Sequence, residues 1–133
     1  MPMMVQFNHE EAIAWDPVAG ERVLSKLLTS PHLGLVGLLE DAAGTIGYFV
    51  LTWGFDLEWG GRDAFLTELF LLEARRDQGL GQQALWAIED VAKQCDARAL
   101  HLLVRHDNAR AQHLYRENGF APPPRDFLTK TLD

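Results

Sequence analysis

Two rhythms of apolar and polar positions divide the chain. Between Asp16-Pro17 and Ser30-Pro31, the residues Val18, Val23, Leu24, Leu27 and Leu28 form one apolar stripe, so the spacing predicts an amphipathic helix opened and stopped by the two prolines. Upstream, Met3 to Phe7 reads as a short strand and His9 to Trp15 as a helical turn. From Leu33 to Glu40 an apolar run reaches the turn-like Asp41-Ala42-Ala43-Gly44, and Thr45 to Trp53 resumes with β-branched and aromatic residues, which predicts a hairpin. A glycine-punctuated loop, Gly54 to Asp63, precedes another strand, Ala64 to Leu72, completing a three-stranded antiparallel meander.

Beyond Gly79-Leu80-Gly81 the period changes to that of a helix. Ala84, Leu85, Ile88, Val91, Ala92 and Cys95 recur on one face, while Trp86 falls off it. A strand, Ala99 to Arg105, then leads to a helix from Asn108 to Asn118, with Ala111, Leu114 and Tyr115 on one face, Gly119 as a left-handed terminator and Phe120 packed back. After Pro122-Pro123-Pro124, the stretch Phe127 to Leu132 reads as a terminal strand. The expectation is one α/β (α+β) domain over residues 1–133, with no repeat or low-complexity segment.

Composition narrows the function classes. At 133 residues, 47% hydrophobic and 23% charged, the chain has the make-up of a single globular domain. Twelve Lys and Arg against nineteen Asp and Glu give a net charge of −7, which speaks against nucleic acid as a partner, because phosphate-backbone affinity needs dense cationic surface. The lone Cys95 makes no internal disulfide, and neither a leader-like N-terminus nor a run near the roughly 18 apolar residues of a membrane span is present. A cytoplasmic protein without a membrane partner is expected. The five histidines show no helical i, i+3 or i, i+4 pair and no cysteine cluster accompanies them, so no metal is expected. Ser25 and Ser30 lie outside any Gly-x-Ser-x-Gly turn, and Cys95 reads as a packing thiol, which leaves no covalent nucleophile.

The strongest chemical signal is a strand, Phe65 to Leu72, that runs through the basic, glycine-rich Arg75-Arg76-Asp77-Gln78-Gly79-Leu80-Gly81 into a long helix. Backbone N–H groups and the positive end of the helix dipole converge at such a turn, and glycines let an anion approach the main chain. The segment lacks the Gly-Lys-Ser/Thr ending of a nucleotide loop and the three-glycine dinucleotide fingerprint, so ATP and NAD are disfavoured. Alone, the turn is equally compatible with a tight strand-to-helix connection. The second segment, Asn108 through Tyr115 to Gly119-Phe120, follows a strand at the distance of a neighbouring βα unit.

Together these two segments resemble the GNAT superfamily of acetyl-coenzyme A-dependent N-acetyltransferases. Arg76 to Gly81 matches the family's Arg/Gln-x-x-Gly-x-Gly/Ala pyrophosphate loop, and Asn108 to Phe120 its Asn-x-x-Ala-x-x-x-Tyr-x-x-x-Gly-Phe-like segment. The resemblance implies a mixed, mostly antiparallel sheet flanked by helices and splayed between its fourth and fifth strands, here Phe65 to Leu72 and Ala99 to Arg105. It implies acetyl-CoA as co-substrate, with main-chain groups of Leu69, Phe70 and Leu71 on the acetyl-pantetheine and amides of Arg76, Asp77, Gln78, Gly79, Leu80 and Gly81 on the pyrophosphate. Asn108 would contact the pantetheine and Arg110 the nucleotide end.

In that reaction an amine attacks a thioester carbonyl, so a base and an acid are needed. Tyr115 is the acid candidate, since a phenol of pKa about 10 is still protonated at pH 7; its alternative role is packing beside Ala111 and Leu114. Glu68, eight positions before Arg76, is the base candidate, and its alternative is an outward strand carboxylate alternating with Leu66 and Phe70. Glu58 is the rival: Asp56 to Asp63 resembles the hairpin of spermidine/spermine-type and thialysine-type acetyltransferases, where acids and aromatics such as Trp53 and Trp59 would attract a small cationic amine. That type usually carries two consecutive acids on this strand, whereas Thr67 precedes Glu68 here, and the N-terminal helical region is short for the family. The alternative is therefore a non-catalytic acyl-CoA-binding or protein-interaction module of the same fold. A homodimer, in which a second subunit completes the acceptor wall, is consistent with either.

Overall fold

A computed structural model describes residues 2–11, 13 and 15–132. They divide into two units, one running to Leu103 and the other from Val104 onward. In the first unit, helices α1 (Pro2–Glu10) and α2 (Pro17–Leu28) precede strands β1 (Gly34–Asp41), β2 (Gly44–Asp56) and β3 (Gly61–Leu71), then helix α3 (Leu80–Gln94) and strand β4 (Leu100–Leu102). The sheet order is β1-β2-β3-β4, antiparallel except for the parallel β3/β4 pair. The α/β class and the mixed, mostly antiparallel sheet are thus as expected.

Several boundaries differ from expectation, each for a physical reason. Met3 to Phe7 is not a strand but part of α1, because Met4, Phe7 and Asn8 fall on one buried helical face and the Asn8 amide donates to the Met4 carbonyl at 2.8 Å. His9 to Trp15 accordingly contains the end of that helix, and Ala12 and Ala14 lie outside the described residues. Cys95 is the partly exposed cap of α3 and not a member of its buried stripe. No strand is described over 127–132, where the chain is exposed throughout.

The change at β4 matters most for function. Its ladder spans only Ala64↔Leu100, Phe65↔His101 and Leu66↔Leu102. Directly after Leu66, β3 carries a bulge: Leu51 pairs Leu66 and Val50 pairs Glu68, so Thr67 is one residue too many for its partner strand. Such an extra residue bends the strand and interrupts pairing, and from Thr67 to Leu71 the far edge of β3 has no β4 partner.

The bulge also sorts the core. Val50 and Phe70 join Met4, Phe7 and Tyr48 in one buried cluster, with Trp15, Leu24 and Leu27 packed against it from the helical side. Leu51 and Leu66, with Phe49 and Ala64, are buried on the other face, and α3 contributes Ala84, Leu85, Ile88 and Ala92 to the core. In the second unit, helix α4 (Ala109–Glu117) ends as expected at Gly119 (φ 91°). The Phe120 N–H donates to the Tyr115 carbonyl and the Gly119 N–H to the Arg116 carbonyl, while the rings of Tyr115 and Phe120 meet edge to face at 5.8 Å. Those bonds and that contact make a Schellman closure.

Candidate active site

Strict alternation would put Leu66, Glu68 and Phe70 on one face of β3. Because Thr67 is bulged, Leu66 turns away and Glu68 stays with Phe70 on the face covered by α1 and α2. There Glu68 is half-buried and accepts a 2.7 Å hydrogen bond from the hydroxyl of Tyr48. Tyr48 is buried, stands opposite Phe70 in the ladder, and reaches Glu68 diagonally across it. Burial pushes the Glu68 carboxyl above its ordinary value, and the Tyr48 hydrogen bond, which favours the anion, offsets part of that rise. The Tyr48 phenol is itself pushed far up by burial and by its bond to Glu68, so it stays a donor. Tyr48 was not among the expected site residues; a tyrosine diagonal to the glutamate is visible only once the bulged register is known.

Glu68 lines a cavity of about 340 Å³. Met4 of α1, Trp15, Leu24 and Leu27 of the α2 region, and Val50 of β2 supply apolar walls, and Asp16 stands at the same cavity. The N-terminal region is therefore long enough to wall a pocket over the candidate base.

The turn after β3 has the features an anion requires. Asp77 (φ 67°) and Gly79 (φ 75°) are left-handed, no side chain caps α3, and a Cβ at Gly79 would meet nothing within 4 Å. The first N–H groups of an uncapped helix are left for an outside acceptor; the pyrophosphate of a coenzyme A thioester fits that donor set. The arginine side chains are engaged elsewhere. Arg76 grips the Glu10 carboxylate with two bonds of 2.8 and 3.0 Å, donates from Nε to the Leu71 carbonyl at 2.9 Å, and lies 5.2 Å over the Phe70 ring. Arg75 pairs with Asp41 at 2.8 Å.

Trp53, Glu58 and Trp59 are not brought to Glu68. Glu58 and Trp59 occupy a 3-10 turn, Leu57–Trp59, whose exposed tip lies beyond Gly61, on the order of 20 Å along β3 from Glu68. Trp53 faces Ala64 in the ladder, and the cation over its ring at 5.2 Å is the chain's own Arg62. Trp59 packs 5.6 Å from the ring of His101, which pairs with Asp63 at 2.9 Å. Among the described residues, no three His, Cys, Asp or Glu side chains gather as a metal site, and no helix is long and apolar enough to cross a membrane.

In the second unit, Asn108 caps α4 by accepting from the Ala111 N–H at 3.1 Å, and Arg110 lies in the first turn. Tyr115 sits on the half-buried side of that helix with Leu114 and Ala111.

Known proteins show the family to which the chain belongs. The family model described as Acetyltransferase (GNAT) family matches residues 2–120. An uncharacterized N-acetyltransferase, YhfO of Bacillus subtilis, is 29% identical over 119 residues, 90% of this chain and 79% of that protein. A mycothiol acetyltransferase from Jonesia denitrificans is 30% identical over 88% of this chain, which spans only 38% of that longer protein. Among solved structures, an integron cassette protein from the mobile metagenome of Cole Harbour salt marsh has a TM-score of 0.84 at 30% identity, covering 99% of this chain and 82% of its own. The chain belongs to the GNAT acetyltransferase family.

Proposed function

We propose that this acetyltransferase moves acetyl from acetyl-CoA to a small primary amine by direct attack in a ternary complex. The observation that carries this reading is Glu68: a half-buried carboxylate, raised in pKa and held by Tyr48, lining a partly open pocket. It stands on the strand whose next turn leads to the uncapped start of α3.

In the proposed reaction Glu68 pairs with the incoming ammonium and takes its proton, freeing the nitrogen lone pair. The nitrogen attacks the thioester carbonyl, the carbon–sulfur bond breaks, the departing thiolate receives a proton from Tyr115, assigned on its motif, and the second proton shed by the acylated nitrogen restores the Tyr115 phenol. Main-chain groups along Leu69 to Leu71, on the stretch of β3 beyond its β4 pairing, are assigned to the acyl arm, and the amides from Arg76 to Gly81 to the pyrophosphate; on the same motif, Asn108 and Arg110 are assigned to the coenzyme. A base works best with a pKa near the operating pH, and burial moves Glu68 in that direction. We assign the amine proton to Glu68 in preference to Glu58, because Glu68 is half-buried and lines the cavity, whereas Glu58 is exposed. The single domain over 1–133, the cytoplasm and a possible homodimer belong to the same proposal.

Calorimetric titration of acetyl-CoA, with free-thiol release followed against a panel of amines, tests the reading. Saturable binding with amine-dependent release is expected. Binding without release from any amine would favour the non-catalytic module, and no binding would end the proposal. Tyr115→Phe should lower kcat by about 10²–10⁴; full activity across pH would remove Tyr115 as the acid.

A further inference from the structure

Helix α2 has an apolar stripe yet no fully buried residue. Leu24 and Leu27 pack against the buried cluster while remaining partly exposed, and both line the 340 Å³ cavity. Apolar surface held open in this way has a favourable free energy waiting for an apolar occupant. At roughly 30 Å³ for each water-sized body, that volume admits on the order of ten non-hydrogen atoms. Its acids are Glu68 on the floor and Asp16, which is exposed and accepts from the Val18 N–H as the cap of α2.

One wall depends on a single glycine. Gly20 lies on α2, where glycine is otherwise unfavourable. A Cβ at this position would overlap the indole of Trp15, so the missing side chain is what lets the ring lie against the helix and face the cavity.

We infer that the acceptor is a primary monoamine on one compact apolar arm, arylalkyl or branched alkyl, and that Trp15, seated on Gly20, is the residue that selects it. This rests on the acetyl-transfer reading and narrows it. One half-buried carboxylate, Glu68, matches one ammonium, and the walls of Met4, Trp15, Leu24, Leu27 and Val50 match the arm. A polyamine or an aminoglycoside would bring further ammonium and hydroxyl groups against those walls, where polar groups without partners are costly.

The test compares phenethylamine with spermidine and kanamycin, by thiol release and by calorimetric binding, in the wild type, Gly20→Ala and Trp15→Ala. Phenethylamine is expected to have the highest kcat/KM. Both variants should weaken its binding by about tenfold or more, with acetyl-CoA affinity unchanged. Alanine favours a helix at position 20, so a loss in Gly20→Ala reports the displaced indole and not unfolding. Higher kcat/KM for spermidine or kanamycin, or unchanged phenethylamine affinity in both variants, overturns the inference and leaves the transferase standing. If no amine gives release, the transferase reading falls, and binding alone decides the pocket: phenethylamine affinity lost in the variants retains it, and no affinity in the wild type ends it.

Discussion

The ribbon of β2 and β3 carries acids among aromatic rings at both of its ends, and the two ends are built for different purposes. At one end Glu68 is half-buried beneath α1 and α2, takes a hydrogen bond from buried Tyr48, and opens on a cavity. At the other, Glu58 stands on an exposed turn between Leu57 and Trp59, with Phe55 and Leu57 79% and 90% exposed. Residue type is nearly the same; surroundings are not. Water screens the interactions of a surface carboxylate, whereas removing water raises a carboxylate's proton affinity and strengthens each interaction it makes.

The sharpest way to break this contrast is Glu68→Gln. The amide keeps the shape and still accepts from Tyr48, but takes no proton, so kcat should fall by about 10²–10⁴. A loss under about threefold would mean that another group handles the amine.

Tyr48→Phe is next in size. It removes the bond that favours the Glu68 anion and leaves burial, which raises the pKa, unopposed. The acid limb of kcat/KM should therefore move to higher pH. Activity should drop several-fold on that limb and recover at alkaline pH. A uniform loss at all pH values would instead indicate damaged packing.

Stability gives a smaller effect of opposite sign. A carboxyl with a raised folded pKa binds its proton more tightly in the native state, so its contribution is greatest below the unfolded pKa and is lost as pH rises through the folded value. Glu68→Gln should therefore be no more stable than wild type at pH 4 and modestly more stable at pH 8, as urea midpoints would record. Equal shifts at both pH values would deny Glu68 its perturbed titration.

How much of this was legible in the sequence follows from the range of each signal. The end of α4 was readable because Gly119 and Phe120 act within one turn, and the α3 entrance because Gly79 and Gly81 punctuate it locally. Met3 to Phe7 reads as a strand because its β-prone residues outweigh a helical period only two contacts long; Met4 and Phe7 become a face once a sheet lies beneath them. The bulge at Thr67 left no signal, since it is a mismatch between two strands and belongs to neither alone. Glu68 was found by its place before the turn, but its orientation, its partner Tyr48 and the wall made by Trp15 and Gly20 all depend on that register and on helix packing.

The least effect is expected at the tip. Glu58→Gln and Trp59→Ala remove the acid and the ring that the hairpin resemblance implies for the amine, yet the backbone of the turn does not rest on either side chain. The turn is held by the Asp56 carboxylate accepting from the Glu58 N–H at 2.9 Å and by the Leu57 carbonyl accepting from the Gly60 N–H at 3.1 Å, bonds that neither substitution touches. Trp59→Ala also uncovers the ring of His101, which retains its bond to Asp63. Exposed substitutions of this kind usually change little, so kcat/KM for a monoamine should stay within about twofold of wild type in both variants. A tip that steers cations electrostatically would behave differently: Glu58→Gln would raise KM at low ionic strength, and the effect would fade as salt shortens the Debye length from about 30 Å at 0.01 M to about 10 Å at 0.1 M. Measuring KM at those two salt concentrations thus separates a remote field from a contact, and a salt-independent rise in KM would move the amine from Glu68 to the tip.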